Sequence, residues 1–219
     1  MVNLLISGPE GKIEAKYHHN NSDNSPIALI LHPDPSKGGT MNTKIVFQMY
    51  KTFIQQGFST IRFNFRGVGK SEGSFDDGEG ELGDAASVLD WLQQYNSNSK
   101  ICWAVGFSFG SWVAMQLLMR RPEINGFICV SPPANNRDFS FLAPCPSSGL
   151  IVHGDKDYIA SFDSARILSE KLQKQKKVDI KFKVIKGADH FYENYKEEFN
   201  NVLEEYIKDQ LSIIKTKKL

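Results

Sequence analysis

A serine between two glycines, a histidine far downstream and an aspartate between them could together break an acyl bond. The serine is Ser108, in Gly106-Phe107-Ser108-Phe109-Gly110, a G-x-S-x-G pattern lying between a predicted strand and a predicted helix. At such a turn the serine is held in a strained backbone, and the flanking glycines let strand and helix approach closely because no Cβ intrudes. A serine hydroxyl is a weak nucleophile at neutral pH. It needs a base within hydrogen-bond reach, and the base needs a carboxylate to fix its tautomer. The candidate base is His190, in Gly187-Ala188-Asp189-His190-Phe191. Three acids stand near the run Leu150-Ile151-Val152: Asp155, Asp157 and Asp163. Asp155 follows Gly154 and reads as a turn residue, while Asp163 stands where a helix should begin and reads as a cap. Asp157 is assigned as the acid, in the loop expected to face His190.

The elements that must hold these residues alternate. Short apolar runs at Ile27–His32, Ser59–Phe65, Ile101–Gly106, Gly126–Ser131, Gly149–His153 and Ile180–Ile185 read as strands, several with the continuous apolar character of buried parallel ones. Between them, Ile45, Val46, Met49, Tyr50, Phe53 and Ile54 recur at helical spacing and stop at Gly57. Further helical stripes run through Ala85–Tyr95, Trp112–Leu118, Ala165–Leu172 and Tyr195–Ile207. Residues 1–20, with Gly8-Pro9-Glu10-Gly11 between two short apolar stretches, predict an antiparallel hairpin at the sheet edge. The fold class is therefore α/β, a mostly parallel sheet covered by helices on both faces. With no repeat and no linker rich in Gly, Pro or Ser, residues 1–219 read as one domain.

Composition narrows the function classes. Lys plus Arg number 26 against 25 Asp plus Glu, a net charge of +1 that offers no footprint for nucleic acid. No stretch approaches the ~20 apolar residues that span a bilayer, and the amino terminus does not look like a secretory signal. The expectation is a cytoplasmic protein acting on a small molecule. Cys102, Cys129 and Cys145 are too scattered for a disulfide framework or metal site and read as reduced, mostly buried thiols. No histidine, cysteine and carboxylate cluster has metal-ligand spacing, so no metal and no cofactor is expected. His18 and His19 read as solvated; His32 and His153, each ending a strand, read as structural. Asn64–Ser71 ends like a phosphate-binding loop, but that pattern requires Gly where Asn64 stands. It reads instead as a mobile loop beside the site, with Gly73, Gly78, Gly80 and Gly83 preceding the next helix. The basic run Lys215-Thr216-Lys217-Lys218 reads as a solvated helix end.

Five segments carry a resemblance. They are His32-Pro33-Asp34-Pro35 with Gly38–Asn42, Arg62–Gly73, the Ser108 turn, His153-Gly154-Asp155-Lys156-Asp157, and Gly187–Phe191. With them the chain resembles the α/β-hydrolase superfamily over nearly its whole length, in particular small lidless bacterial members of the dienelactone-hydrolase-like group. The order Ser, Asp, His is that superfamily's order, and Asp157 matches its H-G-x-x-D acid position. The resemblance implies an oxyanion hole of two backbone amides, one from Phe109 and one from the loop after His32. Pro33 and Pro35 have no amide hydrogen, so Asp34 is the second donor. Dienelactone hydrolases proper carry cysteine at the elbow, so Ser108 points to ester, thioester or amide substrates. Asp34 replaces a frequent histidine, and an acidic side chain at the pocket mouth would disfavour anionic substrates.

A serine hydrolase of small acyl esters or thioesters is the leading expectation, with an aminopeptidase-like amidase and a catalytically silent binding protein as rivals. Only Pro132–Ser148 separates two strands where larger relatives insert a lid, which predicts an open site.

Overall fold

The computed structural model describes residues 2–216; Lys217 and Lys218 of the basic run lie outside them. Eight strands form one sheet: β1 (Val2–Gly8), β2 (Gly11–His18), β3 (Ile27–Leu31), β4 (Ser59–Phe63), β5 (Cys102–Phe107), β6 (Gly126–Val130), β7 (Gly149–Gly154) and β8 (Ile180–Ile185). Their order is β1-β2-β4-β3-β5-β6-β7-β8. The β1–β2 hairpin joins β4 antiparallel, and β3 to β8 run parallel.

The central strands read as unbroken apolar runs because both their faces are covered. Along β3, Ile27, Leu29 and Leu31 face one core, whereas Ala28 and Ile30 face the other. The first core is closed by α2 (Glu79–Tyr95), α3 (Phe109–Arg120) and α4 (Phe162–Gln173), the second by α1 (Lys44–Gln55) and α5 (Lys196–Thr216). Edge strand β8 instead alternates buried with exposed residues. Its exposed Lys181 and Lys183 blunt an edge that could otherwise pair with another chain.

Three local features differ from the sequence expectation. Helix α2 begins at Glu79, so Gly80 and Gly83 lie inside it. The Glu81 carboxylate accepts from the amides of Asp76 (3.0 Å) and Gly78 (2.7 Å), a cap that Gly78 cannot supply itself. Gly80 is needed because a Cβ there would overlap the Arg66 guanidinium. The Arg66 ion pair with Asp84 on this helix, 2.8 Å and buried, ties the loop after β4 to a helix whose two glycines cost ~1 kcal/mol each. Secondly, β4 ends at Phe63 and the segment from Asn64 to Ser71 is bound into the fold. The Asn64 side chain accepts from Met41 N, Phe65 N donates to His32, and the Ser71 hydroxyl donates to the Asn64 carbonyl. Thirdly, α4 is capped by Ser161, whose hydroxyl accepts from Ser164 N; Asp163 sits in the first turn beside Arg166.

Candidate active site

The turn between β5 and α3 puts Ser108 at φ 53°, ψ −122°, a backbone conformation that residues other than glycine rarely adopt. What holds it there is visible on all sides. Ser108 N donates to the Val130 carbonyl of β6, and both the amide and hydroxyl of buried Ser111 donate to the Ser108 carbonyl. A Cβ on Gly106 would overlap the Gly110 carbonyl, and one on Gly110 would overlap the carbonyls of Leu31 and His32. Glycine at both positions lets α3 start directly against the ends of β3 and β5. The Ser108 hydroxyl is not used as a helix cap.

Asp157 and His190 meet behind the cleft. Asp157 Oδ1 accepts from the amides of Ile159 (2.9 Å) and Ala160 (2.8 Å), which leaves Oδ2 to accept from His190 Nδ1 at 2.7 Å. Burial pushes this carboxyl up, but the hydrogen bond from His190, its charge and the two amides together outweigh that, and the group is held below the usual carboxylate range. An ionised carboxylate can only accept, so Nδ1 of His190 carries a proton, and in the neutral ring the lone pair is on Nε2. The ring packs against Phe107, 4.9 Å between centroids, and edge-on against Phe191 at 5.2 Å.

The loop after β3 carries the remaining candidate. His32 is fully buried; its Nδ1 donates to the Pro33 carbonyl (2.6 Å) and its Nε2 accepts from Phe65 N (3.0 Å). Burial lowers its pKa to about 4, against the opposing bond to Pro33, so the ring is neutral. Asp34 then caps a short 3₁₀ turn, Pro35–Lys37, its Oδ1 accepting from both the amide (2.9 Å) and hydroxyl (2.7 Å) of Ser36.

A cleft of about 670 Å³ opens over these groups, lined by Asp34, Ser108, Phe109 and His190 among others. Asp157 lies beneath it. Among the described residues Ser108 Oγ donates to no acceptor, so Asp157 and His190 are hydrogen-bonded while Ser108 and His190 are neighbours on one lining. Asp155 holds the Gly187 amide at 2.5 Å, and Asp163 is on the surface. His18 and His19 lie outside the cleft. No group of three or more metal-ligating side chains occurs among the described residues, and all three cysteines are buried and free.

His153 reads from the sequence as a structural residue, whereas Ser131, Tyr192 and the bridge made by Arg137 carried no sequence signal. His153 is buried under Asp157; its Nε2 donates to the Ala160 carbonyl at 3.0 Å and lies 3.6 Å from Asp157 Oδ2, closing the acid's loop. Burial lowers its pKa, so it too is neutral. Ser131 and Tyr192, both at positive φ, share a buried hydroxyl–hydroxyl bond of 2.8 Å that ties the His190 loop to the end of β6. Arg137 lies across the cleft mouth, its Nη2 on Asp77 Oδ1 at 2.6 Å and its guanidinium carbon 5.4 Å from the Phe109 ring centroid and 4.7 Å from that of Trp112. The tie between loops 60 residues apart has no period to betray it.

Comparison with known proteins places these groups in context. The profile of the X-Pro dipeptidyl-peptidase (S15) family matches residues 15–214. A putative α/β hydrolase of unknown function from Agrobacterium tumefaciens superposes with a TM-score of 0.94 at 49% sequence identity, covering 96% of this chain and 97% of that one. An α/β serine hydrolase homologue from Coxiella burnetii gives 0.82 at 33% identity, over 94% and 96% of the two chains. A lidless α/β serine hydrolase from Xanthomonas campestris gives 0.86 at 28%, over 95% and 94%. An uncharacterized protein from Rickettsia prowazekii is 49% identical over 211 residues, 94% of this chain and 89% of its own. A lysophosphatidylserine lipase from Rattus norvegicus is 27% identical over 197 residues, and its match with this chain takes in 48% of the lipase's length.

Proposed function

We propose, since this chain belongs to the X-Pro dipeptidyl-peptidase (S15) family of α/β hydrolases and shares its fold with lidless α/β serine hydrolases, that it cleaves small acyl esters or thioesters through an acyl-enzyme on Ser108. The observation that carries the reading is the 2.7 Å bond from His190 Nδ1 to a buried, amide-anchored Asp157, with His190 on the same cleft as a strained Ser108. In this reading His190 Nε2 takes the Ser108 proton as Oγ bonds to the acyl carbon, and the carbonyl π pair moves onto oxygen. The amides of Phe109 and Asp34 meet that oxyanion, each worth roughly 3 kcal/mol at the transition state. Neither amide donates elsewhere among the described residues. Collapse expels the alkoxide or thiolate, which takes the proton from His190. Water then attacks the acyl-enzyme by the same route, releasing the acid and restoring Ser108.

The family match favours a second reading, cleavage of an amide after an X-Pro pair. A peptide amino terminus would require a carboxylate on the cleft, where Asp34 and Asp77 stand, each with Oδ1 accepting from a neighbouring side chain and Oδ2 without a partner among the described residues.

The test is labelling by a fluorophosphonate, followed by a panel of acyl esters, acyl thioesters and X-Pro amides. Labelling of the wild type and its loss in Ser108→Ala are expected, with ester or thioester turnover exceeding amide turnover. Short acyl chains should be preferred to palmitoyl, since among the described residues no lid covers the cleft to bury a long chain at ~0.8 kcal/mol per methylene. Labelling that persists in Ser108→Ala overturns the nucleophile, and turnover of X-Pro amides alone overturns the substrate class.

A further inference from the structure

The cleft lining holds four charged side chains besides His190: Asp34, Lys37, Asp77 and Arg137. The two acids are occupied within the chain. Asp34 turns Oδ1 to Ser36, and Asp77 turns Oδ1 to Arg137. The two cations have donors to spare. Lys37 Nζ meets no acceptor among the described residues, and Arg137 gives Asp77 two of its five N–H groups, Nη2 to Oδ1 at 2.6 Å and Nη1 to the carbonyl at 3.5 Å. Bonds to the neutral Ser36 leave Asp34 its charge, so selection of an anion would have to come from a cation placed closer to the acyl end.

Arg137 is also placed unusually well for a loop residue. Its guanidinium lies over the rings of Phe109 and Trp112, so its position does not depend on the ion pair. Phe109 follows Ser108 in the chain, and Arg137 and Ser108 line the same cleft. Its partner Asp77 is 73% exposed, and ion pairs so open to solvent are weak. The pair also displays the ligand chemistry: Nη2 takes a carboxylate oxygen at 2.6 Å, and a planar guanidinium suits the two oxygens of a second carboxylate.

We infer that Arg137 is the specificity-determining residue of this cleft, selecting acyl groups that end in a carboxylate, with Asp77 as the internal carboxylate the substrate displaces. Lys37 adds a second, flexible cation. The inference rests on the hydrolase reading above and names its substrate class as half-esters or half-thioesters of dicarboxylic acids.

The experiment compares kcat/KM for p-nitrophenyl hemisuccinate with that for uncharged p-nitrophenyl butyrate, so that the ratio cancels any general loss of activity. Arg137→Gln should lower the ratio about tenfold, the effect of one charge-assisted contact. Asp77→Asn should raise it by removing the competitor, and added salt should lower it in the wild type. Arg137→Lys, which keeps the charge but not the fork, should fall between, and serves if the glutamine variant does not fold. A ratio unmoved by both Arg137→Lys and Asp77→Asn, or one lowered by Asp77→Asn, overturns the inference while butyrate turnover and fluorophosphonate labelling leave the hydrolase reading standing. Absence of both turnover and labelling in the wild type overturns the two together.

Discussion

Asp84 and Asp157 are buried almost alike, at 1% and 6% exposure, and each faces a nitrogenous partner at 6% or less. Their hydrogen bonds are arranged to opposite ends. All the partners of Asp84 come from one residue: Arg66 N (3.0 Å) and Nε (3.1 Å) on Oδ2, and Nη2 (2.8 Å) on Oδ1. The hydrogen bond to Asp84 raises the guanidinium pKa further, so this charge never leaves. Asp157 instead divides its oxygens, one to its own loop's amides and one to a ring that carries a second nitrogen. The first pair is closed and welds the loop after β4 to α2. The second ends in a group that can still accept a proton, beside a cleft. Burial does not tell the two apart; what the partner can still do does.

The largest expected effect separates the two regions cleanly. Ser108→Ala should cut kcat by ~10⁶ while the Arg66–Asp84 region, and hence the urea midpoint, stays near wild type; residual turnover above a thousandth would break the contrast. Next, Asp157→Asn should cost ~10⁴ in kcat by favouring the wrong tautomer, with modest loss of stability. Asp84→Asn should do the converse. It leaves Arg66 buried against a neutral partner and should cost about 3–5 kcal/mol of unfolding free energy, with kcat per folded molecule within a few fold. If the two asparagine variants exchange these phenotypes, in urea unfolding and ester turnover measured side by side, the roles have been exchanged too.

A smaller effect extends the comparison to pH through His32, buried with no acidic side chain hydrogen-bonded to it. Its pKa is about 4 in the fold against 6.5 in the unfolded chain, so the unfolded state takes the proton first as pH falls. Stability contributed by the neutral ring is complete above pH ~6.5 and is lost progressively down to pH ~4, on the order of 3 kcal/mol in all. His153, also lowered by burial, adds in the same direction. Asp157 works below that window: its depressed carboxyl stabilises above the unfolded pKa and loses this only at lower pH. Urea midpoints between pH 7 and 4 should therefore slope less in His32→Gln; an unchanged slope would refute the assignment. Smallest of all, Ser161→Ala should cost ~1 kcal/mol as a lost cap, whereas Asp163→Ala should cost less than half of that, by the same denaturation assay.

How far the sequence carried depends on whether a contact is local. Strands such as Cys102–Phe107 were legible because both faces are covered, leaving an unbroken apolar run, and Ser108 because its turn needs glycine on both sides within five residues. Asp157 needed the family's spacing as well, since Asp155 and Asp163 stand within a few residues and only the fold shows which reaches His190. The start of α2 was hidden because Gly80 and Gly83 read as breakers, and the reason for Gly80 is a guanidinium contributed from a loop before the helix. Likewise the bond between Ser131 and Tyr192 and the bridge from Arg137 to Asp77 join loops about sixty residues apart, which no periodicity encodes.

The contact of Gly110 with the last carbonyls of β3 has a consequence for how the site would fail. The amides of Phe109 and Asp34 stand on either side of that one backbone-to-backbone junction, two residues apart from it at most. Water around a nascent anion must swing round to face it, whereas in the proposed oxyanion hole the N–H dipoles are aimed when the sheet assembles. Their aim is therefore inherited from folding rather than renewed at each turnover. By the same token it cannot soften by degrees: heat that parts the junction removes both dipoles together, and inactivation should track the loss of the sheet itself.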